Sequence, residues 1–568
     1  MSKFFLTNSK ELINSISAEI DNSLFKKNFE YSSANLFAIT TTKLDIKNTN
    51  HYSENDDFVF ATGTLIYQGS LNLKKLFLQK NLSIEEIRDN ALGHYCICLK
   101  DNITIKLFGP AYATYDIYYY HMNGVFLVSN DLYTISNILS DKITVNKFNV
   151  IEECIHTILG NETVYNEIKR LDGNEYLQIN DNKFFIKDLP YNKSLANEKS
   201  PDIAKKMSSF LATSATQIYN NLGNPSICMT AGLDARMSLA TYLSIKAQPD
   251  LYYGVGNSFL TNTQQKDLEI DSLFEKKYNL KLNVKQWITP KQIDHDWPEV
   301  IKNYGFYAYI YGGSNEIFDF FRKTKGQIIT FGYGGELYRN LDWIENKKNK
   351  FFSIEDFINF YYVTGDLLRM TKNVVGFKEH LYKKLSWICQ KYDLNPQKIP
   401  NEANIFFLQE YRKTADTHLL NFINLSKYCS LLLMESECIK YGMQSTESLK
   451  KSKFMLSVIN QLKPEILEIP VFSHRELKKY NPQKGILERK MQKIIKDFIK
   501  SIIPSQIKSL RAKKHIAKNC NVIKKQLSQI ISEVNLIDKD FAISEMQDYR
   551  DSVKSLIFHK IIGSRNAN

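Results

Sequence analysis

The stretch Ser226-Ile-Cys-Met-Thr-Ala-Gly-Leu-Asp-Ala-Arg-Met-Ser-Leu-Ala240 constrains this chain more than any other. Ile227 to Met229 reads as a short buried strand. It breaks at Thr230-Ala231-Gly232, and an amphipathic helix follows with Met237, Ala240 and Leu243 on one face. A strand, a tight glycine turn and a helix start make a natural anion site. The N–H groups of the first helical turn have no intrahelical acceptor, and the helix dipole favours negative charge there. Small residues at 230 to 232 let anionic oxygens approach the backbone. Asp234 adds a carboxylate suited to a magnesium ion that bridges phosphates.

A second segment has the same grammar. Gln327-Ile-Ile-Thr-Phe-Gly-Tyr-Gly-Gly-Glu-Leu-Tyr-Arg339 is an apolar strand running into a glycine turn. Further on lie Tyr480-Asn-Pro-Gln-Lys-Gly-Ile-Leu-Glu-Arg489 and Ile502-Ile-Pro-Ser-Gln-Ile507. Between the two glycine segments, Leu251-Tyr-Tyr-Gly-Val-Gly256 reads as a strand and Asp267 to Tyr278 as a helix. Ile203 to Asn220 reads as a helix that precedes the first segment. Helix and strand alternate from about 203 to 345, which argues for a parallel sheet. From about 350 onward the pattern is mostly helical. Tyr304 to Tyr311, with Gly312-Gly-Ser-Asn-Glu316 after it, is an aromatic segment read as core or as the lining of a substrate pocket.

Thr230 to Ala235 resembles the Ser-Gly-Gly-x-Asp-Ser pyrophosphate loop of ATP pyrophosphatases, and Arg236-Met-Ser-Leu-Ala240 resembles its version in the asparagine-synthetase-like family. The resemblance implies enzymes that activate a carboxylate as acyl-AMP, release pyrophosphate and let an amine attack. It implies ATP and pyrophosphate contacts from Met229, Thr230, Ala231, Gly232, Asp234, Ala235, Gly254 and Gly332. Ala231 replaces the first loop glycine, and Ala235 replaces the final serine. One lost hydrogen bond to a charged group costs about 1.5–3 kcal/mol. The second segment is similar to the family's Gly-x-Gly-x-Asp loop, which puts Glu336 at a metal position alongside Asp234. Tyr333 falls where β-lactam synthetases carry a tyrosine that helps deprotonate the amine. The third region resembles the family's Lys-x-x-Leu-Arg helix and Leu-Pro-x-x-Ile segment, although Arg489 comes one residue late and Ile503 stands for the leucine. Lys484 then takes the position of the lysine on the acyl-adenylate, where a fixed cation offsets charge on the α-phosphate and carbonyl oxygen. Asp271 takes the alanine position of the family's Asp-x-x-x-Ala helix. The strand at Leu251–Gly256 has a family counterpart beside the adenine.

The first third carries a different signal. Gly63 to Tyr67, Ala91 to Leu99, Phe108-Gly-Pro-Ala111, Tyr115 to Tyr119, Val125 to Ser129 and Glu162 to Leu171 read as strands spaced by short turns. Ala91 to Leu99 alternates like a half-buried strand, with Cys96 and Cys98 on one face. A layered, β-rich domain follows. The order is similar to the glutaminase domain fused to asparagine synthetases, whose nucleophilic cysteine stands at residue two. Ser2 stands there in this chain, and the first cysteine is Cys96. The domain therefore reads as a remnant without glutaminase activity, as in β-lactam synthetases and lasso-peptide cyclases.

No run of 18 apolar residues exists, so no spanning helix is expected. The start Met1-Ser-Lys-Phe-Phe-Leu-Thr-Asn-Ser-Lys10 has too short an apolar core for a signal peptide. Cysteines 96, 98, 154, 228, 389, 429, 438 and 520 are scattered with no CxxC pair, which argues against zinc and for a reduced, cytoplasmic setting. Between Ile439 and Val534 there are 21 Lys+Arg against 7 Asp+Glu, a surplus of 14, and the whole chain has a net charge of +13. That surplus reads as a solvated helical surface, a funnel for ATP and an acidic substrate, or a nucleic-acid surface. No RNA-binding motif accompanies it, and the first third points away from nucleic acid.

The expected fold is α/β, with a degenerate glutaminase-like domain of the class II glutamine-amidotransferase type over residues 1–188. A linker over 188–202 leads into a parallel-sheet ATP-pyrophosphatase-type synthetase domain over 203–530, followed by a helical tail over 531–568. The expected function is an ATP- and Mg2+-dependent, AMP-forming amide ligase that joins a carboxylate to an amine. A precursor peptide or biosynthetic partner protein fits ring closure, and no membrane is implied. Alternatives are an ammonia-dependent amidotransferase acting on a small molecule or surface-polysaccharide sugar, and a non-catalytic nucleotide-binding relative.

Overall fold

The computed structural model describes residues 2–46, 50–155, 158–181, 183–189, 202–255, 262–286, 315–338, 353–361, 376–393, 417–444, 453–473 and 476–478. The 190–201 part of the expected linker, the aromatic segment at 304–311, Lys484 with its motif, the 502–507 segment and the 531–568 tail lie outside the described residues.

Residues 2–189 form two six-stranded antiparallel sheets. One runs Ile168–Arg170, Tyr118–Met122, Val125–Ser129, Phe4–Thr7, Phe37–Thr41, Lys27–Ser32 in spatial order. The other runs Lys183–Asp188, Glu175–Asn180, Thr104–Phe108, Tyr95–Asp101, Asp57–Gly63, His51–Glu54. The period-2 alternation of each strand sends side chains to two faces. Phe4, Leu6, Ala38 and Val128 meet Phe58, Phe60, Cys96, Cys98 and Leu107 between the sheets. Phe5, Ile39 and Leu127 face outward onto Leu12, Ile13, Ile16 and Ile135 of the Lys10–Asp21 and Leu132–Ile138 helices. The outer face of the second sheet, Val59, Ala61, Ile97 and Leu99, is covered by Leu76, Phe77, Ile84 and Ile87 of two short helices. The unit is thus four layers, helix–sheet–sheet–helix, with Ser9 and Ser83 capping two of the helices.

That layering corrects one expectation. The strand through Ala91–Leu99 is not half-buried: Tyr95 to Lys100 are buried on both faces, because helices close the side that alternation left for solvent. Cys96 and Cys98 do share a face and are free cysteines in the inter-sheet core.

The second unit is built on a five-stranded parallel sheet: β1 (Ser226–Cys228), β2 (Asp250–Val255), β3 (Leu282–Gln286), β4 (Ile328–Thr330) and β5 (Tyr428–Ser430). Its spatial order is β3–β2–β1–β4–β5. Helix α1 (Leu233–Ser244) follows β1, and α2 (Asn262–Tyr278) links β2 to β3. The expected Asp267 start for α2 is therefore five residues late. The helix read at Ile203–Asn220 spans Asp202–Leu222.

Two further corrections have clear causes. α1 is not amphipathic: Ala235 to Leu243 are buried on every side. It shares its core with Met207, Leu211 and Ala215 of the Asp202–Leu222 helix and Phe454, Met455 and Val458 of the Lys453–Leu462 helix. β5 comes from the stretch expected to be mostly helical. The other described elements there are helices, with 3-10 turns, and a Val471–Ser473 hairpin strand paired with Glu476–Lys478. A three-residue strand ahead of Leu431-Leu-Leu-Met434 carries too little period to register. Among the described residues no helix is long and apolar enough to cross a membrane.

Candidate functional site

Strand order reverses direction between β1 and β4, and in open parallel sheets the crevice beyond the strand ends at such a point is where ligands bind. The residues that leave β1 and β4 there are 229–232 and 331–335, the two glycine segments of the sequence. They are in direct contact. A Cβ on Gly332 would lie 2.4 Å from the Ala235 nitrogen, and one on Gly335 would lie 2.3 Å from Asp234 Cγ. Ser238 Oγ donates to the Phe331 carbonyl at 3.1 Å, fastening the second segment to α1.

The first loop continues the ladder for one residue, the Met229 N–H donating to Tyr252 O at 2.8 Å. Thr230 and Gly232 are exposed, and Gly232 is the extended N-cap of α1. Arg236 Nε donates to the Ala231 carbonyl at 3.1 Å and draws it inward. Because the peptide is planar and trans, the Gly232 N–H points the other way, where it donates to Thr230 Oγ1 at 3.4 Å. The Ala231 N–H instead meets Asp267 Oδ1 at 3.4 Å. Ala235 is buried, and Asp234 is partly exposed.

Arg236 is the anchor that sequence reading passed over as a continuation of the loop. It is fully buried, lies 4.9 Å over the Phe274 ring, and also donates to Ile466 O, Ile469 O at 2.9 Å and Pro470 O. One guanidinium thereby ties the loop to the turn before the Val471 hairpin. Burial lowers its pKa to about 10, so it stays a cation at neutral pH. Asp271 of α2 places an acid near it, and Asp267 lies one turn earlier on the same helix. Asp267 Oδ2 accepts from the Tyr253 hydroxyl at 3.3 Å, and burial raises its pKa. Burial, then the Asp267 charge, push Asp271 up to about 8 against the pull of Arg236. The four-residue spacing on a helix was the available signal for this pair.

In the second loop, Tyr333 is half-buried and stacked on Phe331, ring centroids 5.4 Å apart and 7° from parallel. Gly334 has φ +87°, and its missing Cβ makes room for Met434. Glu336 lies in a 3-10 turn, Gly335–Tyr338; its side chain is outside the described residues. Gly254 is the second-last residue of β2 and partly exposed on the strand beside β1. The structure thus brings Met229, Thr230, Ala231, Gly232, Asp234, Ala235, Gly332 and Tyr333 together, with Gly254 on the adjacent strand. Among the described residues no group of three or more His, Cys, Asp or Glu side chains could hold a metal ion.

No family model matches the chain, and no curated protein matches it. Among solved structures it is similar to the glutamine phosphoribosylpyrophosphate amidotransferase from B. subtilis complexed with ADP and GMP, at 7% identity and a TM-score of 0.23, over 50% of this chain and 90% of that one. A structure described as the allosteric regulatory enzyme of purine biosynthesis overlaps at 9% identity and a TM-score of 0.22, over 50% of this chain and 80% of that one. Overlaps this loose do not define a common fold. What stands is a mixed α/β protein with antiparallel sheets and a parallel sheet.

Proposed function

We propose that this chain is an ATP-dependent, AMP- and pyrophosphate-forming amide-bond ligase without a glutaminase of its own. One observation carries the reading: two glycine loops far apart in sequence touch at the switch point of the parallel sheet, Gly332 and Gly335 against Asp234 and Ala235. In this reading Gly232 and the first turn of α1 receive the phosphates through backbone N–H groups and the helix dipole. Asp234 and Glu336 are the residues that would hold magnesium, which supplies positive charge against the phosphates. A countercharge is needed there, because Asp234 adds an acid at the loop while Arg236 is spent on backbone carbonyls. A substrate carboxylate attacks the α-phosphorus and pyrophosphate leaves into the loop. The amine then attacks the acyl carbon, the C–O bond to phosphate breaks and AMP leaves, with Tyr333 as acceptor of the amine proton and Lys484 steadying the charge. The amine belongs to the substrate itself, to a second molecule or to free ammonia.

A second reading, a non-catalytic nucleotide binder, is favoured by the Ala231 N–H, which turns to Asp267 rather than outward. Mg2+-dependent exchange of pyrophosphate into ATP, measured across a panel of carboxylates, separates the two. The ligase reading expects exchange, and expects Asp234→Asn to lower it by about a hundredfold or more with the fold retained. Exchange within about tenfold of wild type, roughly 1.4 kcal/mol in barrier, moves the metal role elsewhere. ATP binding with no exchange and no AMP selects the second reading, and absence of ATP binding overturns both.

A further inference from the structure

The layered unit has a task that a lost nucleophile does not explain. Gly63 and Gly93 run back to back: a Cβ on Gly63 would lie 2.3 Å from His94 O, and one on Gly93 2.3 Å from Thr64 O. This close approach, with the Thr64 N–H donating to His94 O at 2.8 Å, fixes Thr64 and His94 at one end of the unit. Both reach the parallel sheet. Thr64 Oγ1 accepts from the Cys429 N–H of β5 and donates to Asn424 Oδ1, each at 2.9 Å. Lys43 Nζ donates to Asn424 O at 2.7 Å and Lys427 O at 3.1 Å.

His94 grips the turn after β5. Its Nε2 accepts the Leu431 N–H at 3.1 Å, so the ring proton sits on Nδ1 and is donated to Thr114 Oγ1 at 2.7 Å. Burial holds this imidazole down to about 4, so it is neutral. Glu435, at the far end of the same turn, accepts the Gly93 N–H at 3.2 Å. Its other oxygen is 4.0 Å from His94 Nε2, a lone pair already engaged by Leu431, so the two do not form an ion pair.

The turn so held is the floor of the second glycine loop. Tyr338 donates its hydroxyl to Leu433 O, and Met434 fills the space beneath Gly334. Gly335 then meets Asp234. We propose that the layered unit positions the second glycine loop through the Leu431–Glu435 turn, with His94 and Glu435 as the positioning residues. The inference rests on the ligase reading for its catalytic consequence, and on geometry alone for the positioning. Loop placement matters because a shift on the order of 1 Å at a reacting centre can cost about 10²-fold.

The experiment uses full-length His94→Leu, which removes the acceptor for the Leu431 N–H, and His94→Gln, which can restore one. Amide hydrogen exchange over 331–338 is the primary readout. His94→Leu is expected to speed exchange there by about tenfold or more and leave the Lys10–Asp21 helix at wild-type rates, and His94→Gln to recover most of the protection. In the pyrophosphate-exchange assay kcat/KM falls about tenfold or more in His94→Leu and is largely recovered in His94→Gln. Should His94→Leu not fold, Glu435→Ala tests the other end of the turn by the same readouts. Wild-type protection over 331–338 in a folded variant overturns the proposal, and so does equal loss of protection throughout both units. If wild type shows no pyrophosphate exchange, the ligase reading fails while amide exchange still decides the positioning.

Discussion

Glu435 is a buried acid whose carboxyl is pushed up to about 8 by loss of solvent, from an ordinary value of 4.5. The unfolded chain releases this proton near 4.5, while the folded protein keeps it until about 8. Stability from this group is therefore present below the lower value and falls as pH rises towards the upper one, at about 1.4 kcal/mol per pH unit. Asp271, raised from 3.8 to about 8, acts in the same direction. Lys43, lowered to about 7, acts in the opposite one, and so does His94 until the unfolded imidazole has lost its proton, about one pH unit above 6.5. The clean measurement is thus a comparison of slopes. Urea denaturation between pH 6.5 and 8 is expected to show Glu435→Gln with a slope more positive than wild type by about 1.4 kcal/mol per unit. Equal slopes would mean that Glu435 is already ionised in the fold. None of this was legible in the sequence, where Glu435 is one acid after an apolar run, because a pKa shift is set by what surrounds a group.

At the scale of elements, β1, β4 and the start of α1 were legible because apolar runs end on glycine turns at 230–232 and 332–335. The contact between the two turns was implied by resemblance alone. It depends on Gly335, whose hydrogen faces Asp234: a Cβ would lie 2.3 Å from Cγ and 2.4 Å from Oδ1. Gly335→Ala must push the second loop off the first, at an overpacking cost of about 1–3 kcal/mol. Pyrophosphate exchange in this variant is expected to drop about 10²-fold while the far-ultraviolet circular dichroism is unchanged. Near-wild-type exchange would show that the loops work without touching. Arg236 belongs to this scale as well. Its role as a bond between the loop and Ile469–Pro470 joins positions remote in the chain, which no local pattern encodes.

For the whole molecule, the layered unit is joined to the parallel-sheet unit by buried polar contacts as well as packing. Asp116 accepts from Asn421 Nδ2 at 2.8 Å, and Glu152 meets Lys384 at 2.7 Å. Charges placed this way favour one docking geometry over others, since a misdocked unit would leave them buried and unpaired. Ser2 sits inside the layered unit. Its N–H donates to Thr41 O at 3.1 Å and its hydroxyl to Thr42 O at 2.7 Å. The full-length protein is expected to release no glutamate from glutamine, and Ser2→Ala to leave pyrophosphate exchange within about twofold of wild type. Glutamine turnover blocked by a glutamine analogue that alkylates nucleophiles would reverse that reading.

By itself the sequence determined the elements whose cause is local. Apolar patterning marked Tyr95–Leu99 and Val125–Ser129 but left Phe4–Thr7, Phe37–Thr41 and Glu175–Asn180 unread, and it put a strand at Phe108–Ala111 where the chain turns. Glycine and small residues marked the two loops, and Asp234 beside a helix start gave a reason for anion chemistry. Tertiary structure decided everything that needs two distant segments at once. It set the strand order that puts β1 beside β4, the second cover that buries both faces of Tyr95–Lys100, and the recruitment of Tyr428–Ser430 as a fifth strand. It also decided that Thr64 and His94, read as parts of a remnant, hold the floor of the second loop. The reason is physical: a period or a turn is written in neighbouring residues, whereas burial and hydrogen-bond partners are fixed only when the chain has packed.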